Sequence, residues 1–239
     1  MPSARATGMI AWVGLAAADA PAAVEFYTAA FGWEAAREAD HTKLRKGGRD
    51  VALVYPQTPQ ARAANVTSHW SPFFLVADAD LAMERALQLD GMALRDAFDV
   101  TGGRVVPLQD PAGAVFSIWA PRPPDPPDPI PSGAWWIELN TPDVEVSRAF
   151  YGDLLGWRYD ETADAASIRG PEGRIGRISR GQGQGAWSPW PQVTDAEAAG
   201  RRAEEAGAAF VGAAEETAVG RIVRIVDPQG AALSLLEPT

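Results

Sequence analysis

The stretch DAPAAVEFYTAAFGW, which runs from Asp19 to Trp33, returns in the second half of the chain as DVEVSRAFYGDLLGW, from Asp143 to Trp157. Each copy begins with an Asp, whose carboxylate accepts the free N–H groups at the start of a helix, and closes on a Gly, which ends one. In the first copy the apolar side chains recur at helical spacing. The stretch therefore predicts one helix per copy, and its return predicts a chain built from two similar halves.

The repeat extends outward from these helices. The sequence WSP occurs at 70–72 and again at 187–189, and DPAG at 110–113 matches DPQG at 227–230. Pro in the second position and Gly in the fourth suit a tight turn between antiparallel strands. An apolar segment follows each turn and indicates a strand.

A weaker similarity divides each half again. A strand-like segment, an Asp and a helix-like stretch that closes near a Gly occur a second time in each half, from Asp78 to Gly91 and from Asp195 to Gly207. The chain is therefore predicted to be α+β, with a β-α-β-β-β module present four times. The sequence leaves open whether the modules pair within each half or across the halves. It also leaves open whether the protein is a monomer or a homodimer.

A Pro-rich segment separates the halves. Residues 121–132 contain seven prolines, which remove backbone donors and fix φ. We expect a semi-rigid linker there, between a first domain at 1–120 and a second domain at 133–239. A docking motif for a partner protein is the alternative interpretation of this segment.

The composition is that of a globular protein with a core. The 239 residues are 46% hydrophobic and 22% charged, with 21 basic and 31 acidic side chains and a net charge of −10. The acidic balance argues against nucleic acid as a partner. The chain has no Cys, which excludes disulfides, thiolate metal sites and Cys nucleophiles and favours a reducing compartment. The apolar run at 9–18 is too short for a membrane span, so we expect a cytoplasmic protein with no membrane partner.

The repeated motifs resemble those of a known superfamily. Phe-Tyr followed by Phe-Gly-Trp or Leu-Gly-Trp, at 26–33 and 150–157, together with Gly-Arg and Asp-Pro-x-Gly-Ala, looks like the glyoxalase/bleomycin-resistance/extradiol-dioxygenase superfamily, also called vicinal oxygen chelate proteins. The resemblance covers nearly the whole chain outside the linker. It implies two domains, in each of which two modules form a curved mixed sheet around a cleft, with the helices outside. The superfamily includes lyases, dioxygenases, epimerases and antibiotic-sequestering proteins, so it implies no single activity.

The resemblance also implies where a metal would bind. In metal-dependent members, His and Glu side chains on strands hold a divalent ion in the cleft. The positions of the His ligands are occupied here by Trp12, Ser71, Trp136 and Ser188, and two positions of Glu ligands by Ser117 and Ser234. The remaining Glu would lie near Ala52 or near 176–177, where no carboxylate occurs.

The residues at these positions determine whether we expect a bound divalent ion. Indole and hydroxyl groups do not supply the charge and lone pairs that a divalent ion needs, so we expect no metal and no cofactor. The alternative is a relocated metal site built from His41 and His69, the only two His of the chain, and a stray Glu.

Strand alternation predicts which side chains share the clefts with these positions. The first cleft is expected to contain Trp12, Ser71, Phe73, Ser117 and Trp119, and the second Trp136, Glu138, Asn140, Ser188, Trp190, Gln192 and Ser234. Both clefts are then aromatic with few polar groups, as suits a small planar or cationic molecule. The alternative is that the Trp side chains fill the space and close the clefts.

Three functional hypotheses follow. The leading one is a superfamily member that has lost the metal ligands and binds a small aromatic or cationic molecule. The second is an enzyme, a lyase, dioxygenase, hydroxylase or isomerase, that uses a relocated metal site or Glu138. Glu138 is the one carboxylate predicted to line a cleft, where desolvation beside Trp136 would prepare a general acid or base. The third is a structural or interaction protein with closed clefts.

Overall fold

The structure, a computed structural model, describes residues 6–123, 126–162 and 165–239. The fold is α+β and consists largely of mixed sheets, and four modules each have a strand, a helix and then three strands, in the first and third modules, or four, in the second and fourth. Pro124 and Asp125 of the predicted linker lie outside the described residues, as do residues 1–5. Among the described residues, no helix is long and apolar enough to cross a membrane.

The first half contains two modules. The first consists of β1 (Ile10–Ala17), α1 (Ala20–Phe31), β2 (Glu34–Arg37), β3 (Thr42–Lys46) and β4 (Arg49–Pro56), followed by the short helix α2 (Pro59–Ala63). The second consists of β5 (His69–Leu75), α3 (Ala79–Gln88), β6 (Met92–Ala93), β7 (Phe98–Val100), β8 (Gly103–Gln109) and β9 (Val115–Pro121).

The second half repeats this organisation. The third module consists of β10 (Trp135–Thr141), α4 (Val144–Leu155), β11 (Arg158–Thr162), β12 (Ala165–Gly170) and β13 (Gly173–Arg180). The fourth consists of β14 (Ala186–Pro191), α5 (Ala196–Glu205), β15 (Ala209–Phe210), β16 (Glu215–Thr217), β17 (Gly220–Val226) and β18 (Ala232–Pro238).

The strands of each module are joined in the same order. In the first module β2, β3 and β4 are antiparallel neighbours, and β4 pairs in parallel with β1. The second module repeats this with β8, β9 and β5, and the third with β12, β13 and β10. In the fourth, β17 pairs with β18, and a parallel bridge joins Leu236 of β18 to Gln192, directly after β14.

The module helices begin as the sequence predicts. The carboxylates of four Asp residues accept N–H groups of the first helical turn: Asp19, Asp78, Asp143 and Asp195. At the other end, Gly32 and Gly156 terminate α1 and α4 in the left-handed conformation, with φ of 65° and 71°. The helices α3 and α5 end differently, because Leu89 and Ala206 form their C-caps before the Gly residues are reached.

The chain forms two compact units whose residues come from both halves. Of the described residues, unit 1 contains those within Met1–Trp12, Pro72–Ser132 and Ile137–Trp187, and unit 2 contains Val13–Ser71, Gly133–Trp136 and Ser188–Thr239. Unit 1 thus holds most of the second and third modules, and unit 2 most of the first and fourth. The units and the sequence halves are different divisions of the chain, and the domain boundaries expected from the sequence stay a prediction.

Three repeated residues meet in the core of unit 2. The hydroxyl of Tyr27 donates to Oδ2 of Asp227 at 2.8 Å and accepts a hydrogen bond from Nε1 of Trp70 at 3.0 Å. Oδ1 of Asp227 accepts the backbone N–H groups of Gln229 and Ala231, which fixes the predicted tight turn. All three side chains are buried. Residues from three separate repeated motifs therefore form one hydrogen-bonded network.

Unit 1 contains the same network. The hydroxyl of Tyr151 donates to Oδ2 of Asp110 at 3.1 Å and accepts from Nε1 of Trp187 at 2.8 Å. Burial raises the pKa of Asp110, an effect opposed by hydrogen bonds from the Ala114 N–H and the Tyr151 hydroxyl. Burial and the charge of the neighbouring Asp raise the pKa of Tyr151, and likewise that of Tyr27, well above the usual value.

The described part of the Pro-rich segment lies along unit 1. Ile130 is buried, and its N–H donates to the Ala11 carbonyl oxygen at 2.9 Å. Pro127 packs so closely against Gly102 that a Cβ there would lie 2.3 Å from the proline ring. At these points the segment is packed against the unit.

Candidate functional site

Four of the predicted cleft residues lie together in unit 1. In the parallel pair β5 and β9, Phe73 lies opposite Ser117, and Trp119 follows on the same face of β9. The rings of Trp12 and Trp119 make an edge contact with their centroids 6.3 Å apart. All four side chains are between 2% and 7% exposed. They give unit 1 an aromatic strand face that carries one hydroxyl group.

Glu138 also lies in unit 1, and it has a charged partner. Its Oε1 accepts hydrogen bonds from Nε of Arg177 at 2.7 Å and from the Ser179 hydroxyl at 2.9 Å. The parallel register of β10 and β13 sets Arg177 directly opposite Glu138. The carboxylate of this buried side chain is therefore fixed in place and its charge is balanced.

This ion pair changes the interpretation of Glu138. The sequence indicated a lone carboxylate beside an indole, but a guanidinium and a hydroxyl hold it. Arg177 lies where the resemblance implies a metal-binding Glu, so a cationic side chain stands near the position of a ligand for a cation. Asn140, expected beside Glu138 in the cleft, is exposed.

Most of the residues predicted for the second cleft lie in unit 2. Trp136 and Trp190 pack with Ile222 and Leu236 in a buried apolar cluster. Nε1 of Trp190 donates to the Ser188 hydroxyl at 3.0 Å. Ser234 is buried and lies opposite Arg224 in the β17–β18 pair, and Gln192 lines a cavity of unit 2.

In the described part of the chain, unit 2 has three buried polar atoms without a hydrogen-bond partner: Oε1 of Gln57 and two atoms at predicted cleft positions. The Oγ of Ser71 and the Nε1 of Trp136 have no hydrogen-bond partner in the part of the chain that the structure describes. The residues are only 5% and 6% exposed. Their chain neighbours, Trp70 and Trp135, have ring centroids 5.3 Å apart, so Ser71 and Trp136 each leave their own strand on the side turned away from that contact. Both occupy positions where the resemblance implies a metal-binding His.

The residues at the implied metal positions do not fit a divalent ion. They offer indole N–H and hydroxyl groups, which lack the lone pairs and charge of imidazole and carboxylate. Nδ1 of His41 lies 2.7 Å from Oδ1 of Asp40, and Nδ1 of His69 lies 2.9 Å from the Thr67 carbonyl oxygen. Within residues 6–123, 126–162 and 165–239, no group of three or more His, Cys, Asp or Glu could hold a metal.

Both halves match known protein families. Residues 9–118 match the Glyoxalase/Bleomycin resistance protein/Dioxygenase superfamily, and residues 136–236 match the Glyoxalase-like domain.

Two relatives are similar along almost the whole chain. The anthracycline biosynthesis protein DnrV of Streptomyces peucetius is 29% identical, over 97% of this chain and 94% of its own. The putative glyoxylase CFP32 of Mycobacterium bovis is 28% identical, over 95% of this chain and 94% of its own.

Solved structures share the fold at low identity. The Mn(II)-bound glyoxalase from Novosphingobium aromaticivorans is similar with a TM-score of 0.66 and 16% identity, over 98% of this chain and 83% of that one. The 2,3-dioxygenase LapB from Pseudomonas sp. KL28 is similar with a TM-score of 0.66 and 12% identity, over 98% of this chain and 93% of that one. At these identities the likeness shows the fold alone.

Proposed function

Because the chain belongs to the glyoxalase/bleomycin resistance protein/dioxygenase superfamily, we propose that it uses a strand face of that fold to bind a small, planar, neutral aromatic molecule. The proposed site, called the strand face, comprises the sides of β5 and β10 that carry Ser71 and Trp136 in unit 2, turned away from the Trp70–Trp135 contact. Stacking and hydrogen bonds hold the ligand, where relatives with His and Glu ligands hold an ion.

The pair of unpaired atoms carries this proposal. Among the described residues, the Ser71 hydroxyl and the Trp136 indole N–H are buried without partners. An unsatisfied buried polar group costs about 1–3 kcal/mol. A ligand with a carbonyl or phenolic oxygen near these atoms removes that cost, and the rings of Trp136 and Trp190 supply apolar surface beside it.

Charge and the names of relatives support a neutral, planar ligand. In unit 1 Arg177 already balances the charge of Glu138, so this carboxylate attracts a cation only weakly. The cationic ligand considered from the sequence is therefore not part of the proposal. DnrV is named for anthracycline biosynthesis, and the ring system of an anthracycline contains a planar, fused-ring anthraquinone.

The packing around Trp136 favours a second candidate function. Its contacts with Trp190, Ile222 and Leu236 form an apolar cluster, as expected of a structural or interaction protein whose clefts are closed. In that case the unpaired atoms are a cost of packing, and the strand face takes no ligand.

Isothermal titration calorimetry with alizarin separates the two candidates. Alizarin is a planar hydroxyanthraquinone whose carbonyl and hydroxyl groups suit both unpaired atoms. We expect saturable binding to the full chain. Trp136→Phe, which keeps a ring but removes the N–H, and Ser71→Ala should each raise Kd about tenfold, the equivalent of about 1.4 kcal/mol.

Ser68→Ala is the matched control. Ser68 is a buried serine of unit 2 whose hydroxyl already accepts from the Ala18 N–H and donates to Gln229. This variant should keep the Kd of the unmodified chain. The absence of a binding heat, or equal Kd values for all variants, would contradict the proposal and support closed clefts.

A further inference from the structure

Unit 2 contains a cavity of about 190 Å³ that is separate from the strand face. Phe31, Trp33 and Trp135 contribute aromatic side chains to its lining. Trp135 precedes Trp136 on β10, so their rings leave the strand on opposite faces. An apolar cavity of about 150 Å³ is enough to hold benzene. This cavity therefore has room for one aromatic ring with a small substituent.

The repeat explains why the cavity exists. Phe74 of unit 1 is the counterpart of Pro191 in the repeat that begins with WSP, and Trp157 is the counterpart of Trp33. In unit 1 the Phe74 ring fills the core against Trp157, with centroids 4.9 Å apart. In unit 2 Pro191 has no aromatic ring to place there and instead lines the open volume.

The same comparison identifies an indole N–H in the cavity lining that lacks the acceptor of its counterpart in unit 1. In unit 1 Nε1 of Trp157 donates to the Gly8 carbonyl oxygen at 2.8 Å. In the described part of the chain, Nε1 of Trp33 has no such acceptor, although Trp33 is only 7% exposed. Trp33 lines the cavity, so its N–H is a donor that a ligand with an acceptor group could use.

Two cationic side chains line the same cavity. Nε of Arg202 donates to the Ala30 carbonyl oxygen at 3.2 Å, which leaves the terminal guanidinium nitrogens for a ligand. Lys46, at the end of β3, is the second cation, and its counterpart in unit 1 is Gly170. The described residues that line the cavity include no Asp or Glu. In a chain with a net charge of −10, this local excess of positive charge favours an anion.

We propose that this cavity binds a single-ring aromatic carboxylate. The ring packs among Phe31, Trp33 and Trp135. The carboxylate accepts hydrogen bonds from Lys46 and Arg202 and from the indole N–H of Trp33. The proposal does not rest on the strand-face site, because the two sites share none of the side chains that would bind their ligands.

Benzoate is the probe, and benzamide, a neutral molecule of the same size, is its control. In calorimetric titrations of the full chain we expect benzoate to bind about tenfold more tightly than benzamide. Lys46→Gln and Arg202→Gln should each weaken benzoate binding about tenfold and leave benzamide unchanged. Arg85→Gln makes the same substitution at the counterpart of Arg202 in unit 1 and should have no effect.

A cavity-filling variant tests the volume argument. Pro191→Phe introduces the residue that unit 1 has at the same repeat position and should abolish benzoate binding. If this variant does not fold, the substitutions of the exposed Lys46 and Arg202 still decide the question. Failure of benzoate to bind the unmodified chain, equal affinity for benzamide, or equal losses in Arg85→Gln and Arg202→Gln would overturn the proposal. Alizarin binding should persist in Lys46→Gln, so the two proposals fail independently.

Discussion

The hydroxyl of Tyr27 donates a 2.8 Å hydrogen bond to Oδ2 of Asp227, a residue near the other end of the chain. The bond joins the first module to the fourth within unit 2. Tyr151 and Asp110 form its counterpart in unit 1, between the third and second modules. The repeated motifs therefore mark the places where modules from different halves of the sequence meet.

Removal of the Tyr27 hydroxyl should destabilise the fold. Tyr27→Phe leaves Oδ2 of Asp227 and Nε1 of Trp70 without this partner in the core, so we expect the free energy of unfolding to fall by about 1–3 kcal/mol. Urea unfolding measures the change. Thr28→Ala is the control, because among the described residues the Thr28 hydroxyl bonds only to the Glu25 carbonyl oxygen of its own helix. Its effect should stay within about 0.5 kcal/mol. Equal losses in the two variants would count against the network.

Stability should decline in alkali. Burial raises the pKa values of Tyr27 and Tyr151 in the folded chain, whereas an unfolded tyrosine titrates near pH 10. Above about pH 10 the unfolded chain therefore binds fewer protons than the folded one, and the free energy of unfolding falls as pH rises. The double variant Tyr27→Phe/Tyr151→Phe should be less stable at neutral pH but show a shallower alkaline decline. Parallel pH profiles of the two proteins would refute this assignment.

Removal of one partner of the Glu138–Arg177 ion pair should destabilise the fold more than replacement of both partners by apolar residues. Arg177→Met leaves the Glu138 side chain, which is 7% exposed, with the Ser179 hydroxyl as its one remaining partner among the described residues. We expect the free energy of unfolding to fall by about 2–3 kcal/mol, which is less than for a fully buried pair because Arg177 is partly exposed. Glu138→Leu/Arg177→Met should recover most of this loss. Arg169→Met breaks the exposed pair with Asp160 and should cost no more than about 1 kcal/mol. No recovery in the double variant would show that charge pairing is not the cause.

In the absence of ligand, alanine substitutions at two serines of unit 2 should change the free energy of unfolding in different ways. Ser71→Ala removes a buried hydroxyl that has no partner in the described part of the chain, so the free energy of unfolding should stay constant or rise. Ser68→Ala removes bonds to the Ala18 N–H and to Gln229 and should cost about 1–2 kcal/mol. Thermal unfolding of both variants checks this, and a comparable loss in Ser71→Ala would mean that its hydroxyl is already paired.

Local sequence patterns predicted the module but not the pairing of distant residues. An Asp at a helix start or a Pro and Gly in a turn act on neighbouring residues, so Asp19, Gly32 and the tight turn at 110–113 could be recognised from sequence. The partner of Glu138 could not, because the register that sets Arg177 opposite it depends on tertiary packing between parallel strands.

The cavity of unit 2 could not be predicted from the sequence, for a different reason. It arises where the two copies of the repeat differ, with Pro191 in place of Phe74. Because the two residues differ, this position is not among the matching residues that define the repeat. Only the packing of Phe74 against Trp157 shows that the missing ring leaves a volume.

The indole N–H resonance of Trp136 tests the central claim most directly. The indole resonance that is missing from the nitrogen-15 spectrum of Trp136→Phe is assigned to Trp136. At saturating alizarin we expect this resonance to shift strongly, while that of Trp135, whose N–H donates to the Val51 carbonyl oxygen at 2.8 Å, stays close to its original position. An unchanged Trp136 resonance in the presence of saturating alizarin would contradict the account.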